Sequence, residues 1–200
     1  MKENNTEELI KEAAIKVFMA KGLTGARMQE IANEAGINRP MLHYYFRSKE
    51  KLYEVVFSDA LHEIKARMEN LSQAEMPILE KIRLFIEGYM ESAIARPEFD
   101  MFFMTEFHNN KGQMSEIIMQ KKTGNSIKLF LIEIEKAVQK GEIVGEPKQI
   151  FLNLLSMLIF PVAGKSMLEV MLDYSEQDFM ELMKIRASQI YTFFERAVKP

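Results

Sequence analysis

Residues Gln29 to Lys49 read QEIANEAGINRPMLHYYFRSK. Ile31, Ala32 and Ala35 fall on one helical face, and Gly36 follows where a left-handed backbone ends a helix at little cost. Asn38 supplies a side-chain oxygen to cap a new helix from Arg39, and Pro40 sits just inside that start, where its missing N–H and fixed φ are harmless. Leu42, Tyr45 and Phe46 stand at i, i+3 and i+4 and form an inner face, which leaves Arg39, Met41, His43 and Tyr44 outward. Ser48 is placed to cap a third helix beginning at Lys49, whose free amides and ammonium suit an anion such as a phosphate. Each feature alone is common in helical hairpins. Together they describe a helix-turn-helix with cations and aromatic donors on one side, the shape that enters a DNA major groove.

The longer stretch IANEAGINRPMLHYYFRSKEKLY resembles the DNA-binding region of TetR-family transcriptional regulators. That family's pattern is an IA-x-x-AG turn, a short recognition helix ending in Y-x-F or YYF, and SKE-x-L. The resemblance is dense over roughly the first fifty residues, and beyond them it rests on size and helical layout. It implies an all-α fold of about nine helices, with a helix-turn-helix DNA-binding domain over 1–50 and a helical effector-binding and dimerisation domain over 51–200. The DNA-binding residues it implies are Arg27, Gln29, Asn38, Arg39, Pro40, Met41, His43, Tyr44, Tyr45 and Lys49. Of these, Tyr45 and Lys49 are expected on phosphates, and Met41 and Tyr44 on bases. Three positions depart from the family pattern. Arg27 stands where a capping Thr is usual and offers a phosphate a guanidinium fork instead. Pro40 replaces a small residue, often Gly, and Met41 replaces Thr or Ser, so apolar contact takes the place of a hydrogen bond.

Charge supports this division. The whole chain carries 26 Lys and Arg against 29 Asp and Glu, a net −3 that by itself argues against a nucleic-acid binder. Residues 1–51, however, hold nine cations and seven acids, about +2, and the remainder carries about −5. The absence of Cys excludes disulfides and thiolate metal sites. The N-terminus MKENNTEELIKEA lacks the apolar core of a signal peptide, and the longest apolar stretch, 150–164, is too short to span a bilayer, so a soluble, cytoplasmic protein is expected.

Helical spacing continues along the chain. Asn5 with Glu8 reads as a cap pair opening a helix that runs to Gly22. A long helix from Lys49 turns Leu52, Val55, Val56, Ile64 and Met68 inward and connects the two domains. Further helices are expected from Ile78 to Arg96, from Pro97 through Phe107, and from a break at Gly112 to near Gly141. The last two start near Pro147, with a kink at Pro161, and at Ser175, where Ser175 and Asp178 resemble a capping pair.

Those last two helices carry wide apolar stripes that serve equally as intramolecular core or as an interface. The family resemblance implies the second, a homodimer joined through Phe151, Leu155, Leu158, Val162, Phe179, Leu182, Arg186, Ile190 and Phe193. Sixteen Met and fourteen Phe at helical spacing serve as core or as an adaptable hydrophobic pocket for a small effector, with Phe85, Tyr89, Phe103, Met104, Phe107, Phe130 and Phe160 as pocket candidates; His108, beside Asn109 and Asn110, reads either as a solvated loop residue or as a polar anchor. No cofactor or metal is expected. The resemblance implies that an effector moves the helix starting at Lys49 and so separates two recognition helices from a pseudo-palindromic operator, most often relieving repression. Two rival readings are a helical protein-interaction module and an enzyme. Only His43, His62 and His108 are present, far apart in sequence, and there is no Gly-rich phosphate loop, so the usual nucleophile and metal signatures are missing.

Overall fold

The computed structural model describes residues 2–96, 98–121 and 123–200. Its helices are α1 (Lys2–Gly25), α2 (Met28–Glu34), α3 (Arg39–Tyr45), α4 (Lys49–Gln73), α5 (Ile78–Ala95), α6 (Glu98–Asn109), α7 (Lys111–Lys121), α8 (Thr123–Gln139), α9 (Pro147–Ala163), α10 (Lys165–Leu172) and α11 (Glu176–Val198). Among the described residues there is no strand, and no single helix is long and apolar enough to cross a membrane. Pro97 and the side chains of Asn5 and Ile64 lie outside the described residues.

Among the described residues eleven helical segments are found, in line with the about nine helices expected. The stretch read as a single helix ending near Gly141 is α7 and α8 on either side of Lys122, which lies outside the described residues; Gly112 is inside α7, and the break after α6 falls at Asn110. A helix that the spacing did not single out is α10. It exists because Gly164 ends α9, turning the chain through 75°. A Cβ at Gly164 would lie 2.9 Å from the carbonyl oxygen of Phe160, so only glycine fits that turn.

The helices pack as two units, one of Met1–His62 with Met101–Lys121 and one of Glu63–Asp100 with Lys122–Pro200. The first unit therefore reaches beyond residue 50 and takes in part of α4, most of α6 and α7. Phe18, Tyr53, Phe57 and Phe102 interlock there, with ring centroids 5.3–6.4 Å apart. Beside them the Glu106 carboxylate is buried and accepts from the Tyr53 hydroxyl at 2.5 Å and from Asn110 Nδ2 at 2.7 Å. Burial first, then the hydrogen bond and charge of Glu106, pushes the Tyr53 phenol well above its ordinary pKa, so it stays a donor.

The second unit is built around α5, which packs most widely against α11 and also meets α8 and α9. Its core joins Ile82, Phe85, Ile86 and Met90 of α5 to Phe130 and Ile134 of α8, Leu154 and Leu158 of α9, and Phe179, Met183, Ile190 and Phe194 of α11. Pro161 lies inside α9 and is buried. Having no N–H, it frees the Met157 carbonyl one turn earlier. Arg186 Nη2 of α11 donates to that oxygen at 3.2 Å.

Replacing Tyr53 by Phe removes one donor from a buried carboxylate and should lower unfolding free energy by about 2 kcal/mol. Urea denaturation checks this, and an unchanged midpoint would mean that Glu106 finds a replacement donor.

Candidate nucleic-acid interface

The turn between α2 and α3 is locked by backbone alone. Gly36 adopts φ 67°, its N–H donates to Asn33 O at 3.1 Å, and the Ile37 N–H reaches back to Ala32 O at 2.9 Å, the paired pattern of a Schellman closure. Asn38 Oδ1 then accepts from the Met41 N–H at 2.8 Å, capping α3, and Pro40 occupies its first turn. Ile31 and Ala32 of α2 and Leu42 of α3 are fully buried, so the two helices meet through small and branched side chains. After α3, Ser48 Oγ accepts from the Lys51 N–H at 3.1 Å and opens α4.

This seat leaves a continuous outer surface. Arg27, Gln29, Asn38, Arg39, Pro40, Met41, His43 and Tyr44 are exposed, Tyr44 by 77%, whereas Tyr45 is half-buried with its ring 5.4 Å from Tyr44's. Among the described residues the guanidinium groups of Arg27 and Arg39 have no acceptor. Arg27 offers the α2 N-cap no acceptor of its own. Glu30 instead accepts the Arg27 backbone N–H at 3.3 Å, and the same carboxylate binds Lys21 at 2.8 Å, which holds it below its usual pKa. Gln29 donates to Asn33 Oδ1 at 2.9 Å, so part of its amide is already engaged.

Two residues change the picture drawn from sequence. Lys49 Nζ donates to the carbonyls of Leu23, Thr24 and Ala26 at 2.8, 3.0 and 3.1 Å. All three ammonium protons are thus used to close the C-terminal end of α1 and the residue after it, beyond the point where Gly22 (φ 65°, ψ 170°) has broken the helical path. Lys49 is a structural clasp here, and a phosphate would have to displace one of those carbonyls. Arg47, in contrast, has no role in the sequence reading. It is exposed between α3 and α4, and among the described residues its guanidinium has no acceptor. Its signal was the local excess of four cations over one acid in residues 36–51.

Residues 10–56 match the family described as bacterial regulatory proteins, tetR family. Over this stretch the chain is similar to the TetR family. The chain is 28% identical over 143 residues to the HTH-type transcriptional repressor NicS of Pseudomonas putida, covering 69% of this chain and 66% of NicS. It is 25% identical over 150 residues to the HTH-type transcriptional regulator TtgR, also of Pseudomonas putida, covering 70% of each chain. The solved structure of FadR from Bacillus subtilis, in complex with stearoyl-CoA, superposes with a TM-score of 0.61 over 92% of this chain and 97% of that one at 18% identity. Such a match shows the shared fold. Both sequence relatives are transcriptional regulators.

The residues expected to line a TetR-type effector pocket are dispersed. Phe85 and Phe130 face each other in the core of the second unit, centroids 5.6 Å apart. Tyr89 there donates its hydroxyl to Asp100 at 2.5 Å, and burial, with the charge of Asp100, raises the phenol's pKa. Phe103 belongs to the first unit, stacked on Phe57 at 5.1 Å and beside Phe107 at 5.7 Å. Met104 and His108 are exposed on α6, and Phe160 is exposed on α9.

The expected dimer residues divide in the same way. Leu158, Val162, Phe179 and Ile190 are buried within the chain, and Phe151 and Leu155 pack half-buried against the same core. Arg186 is engaged by Met157. Only Leu182 and Phe193 stay exposed, because the stripe read as one wide interface has an inner side that the unit's own helices cover. The exposed side adds Leu152 and Ile185, which sequence spacing did not single out.

Lys49→Ala should lower the thermal midpoint of the DNA-free protein by several degrees, since three carbonyls lose their donor. Melting followed by circular dichroism checks this. An unchanged midpoint with weakened DNA binding would restore Lys49 to a phosphate role.

Proposed function

We propose that this protein is a homodimeric repressor whose two recognition helices read a pseudo-palindromic operator in successive major grooves. Residues 1–50 are its DNA-binding domain and 51–200 its effector-binding and dimerisation domain. The observation that carries the reading is the α3 surface, where Arg39, Met41, His43 and Tyr44 stand exposed on a helix seated by buried Leu42. Arg27, Arg39, Arg47 and Tyr45 serve the phosphate backbone, with Gln29 and Asn38 at its edge. Pro40, Met41, His43 and Tyr44 face the groove, where Met41 offers apolar contact to a thymine methyl.

The second copy docks on the exposed apolar side of α9 and α11, through Leu152, Phe160, Leu182, Ile185 and Phe193. On α11 the spacing of 182, 185 and 193 keeps these side chains on one face. Phe193, 67% exposed, is the largest group there. A small hydrophobic effector bound in the 51–200 domain relieves repression; a fold neighbour, FadR, is found in complex with stearoyl-CoA, a ligand with a long acyl chain. The effector acts only to the extent that it binds the DNA-incompetent arrangement more tightly than the competent one. The helix that begins at Lys49 and runs to Gln73 carries the shift, since its residues belong to both packing units.

Selection of bound sequences from a random DNA pool tests the function, and a palindromic winner is the expected result. On that winner, Arg39→Ala and Arg47→Ala should each weaken binding across sequences and reduce the steepness of its salt dependence by about one ion. Tyr44→Ala and Met41→Ala should change which sequence wins. Full affinity in Arg39→Ala and Arg47→Ala together would remove the DNA-binding reading. Ile185→Glu and Phe193→Glu, both exposed, should give a folded monomer by light scattering. A variant that remains dimeric places its residue outside the interface.

A further inference from the structure

A cleft of about 570 Å3 opens within the second unit between the start of α5 and the end of α8. None of the residues expected to bind an effector lines it. Its walls are Met76, Pro77, Ile78 and Leu79 on one side and Ala137 on the other, and its charged groups are Lys81, Glu133, Lys136, Lys140 and Glu142. A volume of this size accommodates a small organic molecule.

The charges are unevenly used. Lys81 is only 6% exposed, and its Nζ donates to Glu133 Oε2 at 2.7 Å and, at the long distance of 3.5 Å, to Ser72 O. An ammonium carries three protons, so at least one donor at the floor of the cleft has no acceptor among the described residues. A buried Lys–Glu pair is a poor source of stability, because desolvation offsets most of the attraction and apolar replacements often serve as well. The pair does, however, hold a rigid ammonium in a cleft. Lys140 lies 3.7 Å from Glu142, which leaves Lys136 as the exposed cation with no ion-pair partner among the described residues. Three ammonium groups against two carboxylates give the lining a net charge of about +1. The first amides of α5 add to this, since Pro77 occupies the N-cap and has no side-chain acceptor to satisfy them.

We propose that this cleft binds a small organic monoanion, a carboxylate with an apolar body. Lys81 and Lys136 hold the carboxylate, and Met76, Ile78, Leu79 and Ala137 cover the apolar part. The charge selects one negative group, because a second would meet Glu133 and Glu142. The site is independent of the DNA-binding reading and of the pocket residues expected from sequence, and it is measured on the protein without DNA.

The test is isothermal titration calorimetry of the full chain with benzoate, and with benzamide as its uncharged isostere. Benzoate should bind with a Kd of roughly 1 mM or tighter, and benzamide at least about tenfold more weakly. Lys136→Met should weaken benzoate about tenfold, while Lys136→Arg keeps the charge and most of the affinity. Because Lys81→Met alone would strand Glu133, the floor is tested with the double change Lys81→Met and Glu133→Leu, which should stay folded and also lose benzoate. No heat from benzoate up to roughly 20 mM, equal binding of benzamide and benzoate, or unchanged affinity in both the Lys136→Met and the double variant would overturn the proposal.

Discussion

The closure of the α2–α3 turn on Leu42 is the constraint from which the DNA-facing surface follows. Leu42 lies under Ile31 and Ala32 with no exposure, and the Gly36 closure brings the two short helices together without help from any long side chain. Seven-residue helices are too short to hold themselves in water, so their geometry comes from this shared burial and from the caps at Asn38 and Ser48. Once Leu42 is fixed inward, the helical repeat leaves Met41, His43 and Tyr44 no choice but to face out. Lys49 completes the arrangement from the far side by gathering three carbonyls at the C-terminal end of α1 and just beyond it.

The polar groups of each packing unit show how the interior is made specific. Glu106 in the first unit is answered by Tyr53 and Asn110, and the Met157 carbonyl released by Pro161 in the second is answered by Arg186. Both are cases in which a group that is costly to bury acquires a designated partner on another helix. Lys81 and Glu133 are a third, with the difference that one proton of the ammonium is left over at the floor of a cleft. The two packing units differ in what they bury. The first relies on a knot of aromatic rings, and the second on rows of aliphatic and Met side chains along α5, α9 and α11 with Phe rings set among them.

Much of this was legible in the residues. The turn at Gly36, the caps at Asn38, Ser48 and Ser175, and the starts of α3, α4, α9 and α11 each depend on groups within a few positions of one another, and they stand where the spacing put them. What misled was the use made of long stripes and long side chains. Apolar spacing on α9 and α11 marks both helices as amphipathic but cannot say which side meets α5, so it assigns Leu158 and Ile190 to an interface that their burial excludes. Phe85 and Phe130 looked like pocket walls and are each other's packing. Lys49 looked like a phosphate ligand, because nothing near it in sequence reveals the carbonyls of residues 23, 24 and 26.

By itself, then, the sequence determined the all-helical class, the helix-turn-helix and the identity of its outward residues, since these follow from spacing, caps and a single left-handed glycine. The tertiary structure decided which apolar faces are covered, which cations remain free, and where a cleft opens between α5 and α8. Those outcomes depend on pairs of residues such as Lys81 with Glu133 and Met157 with Arg186, separated by 52 and 29 positions. Local chemistry cannot foretell such meetings, because they are set by how whole helices share one core.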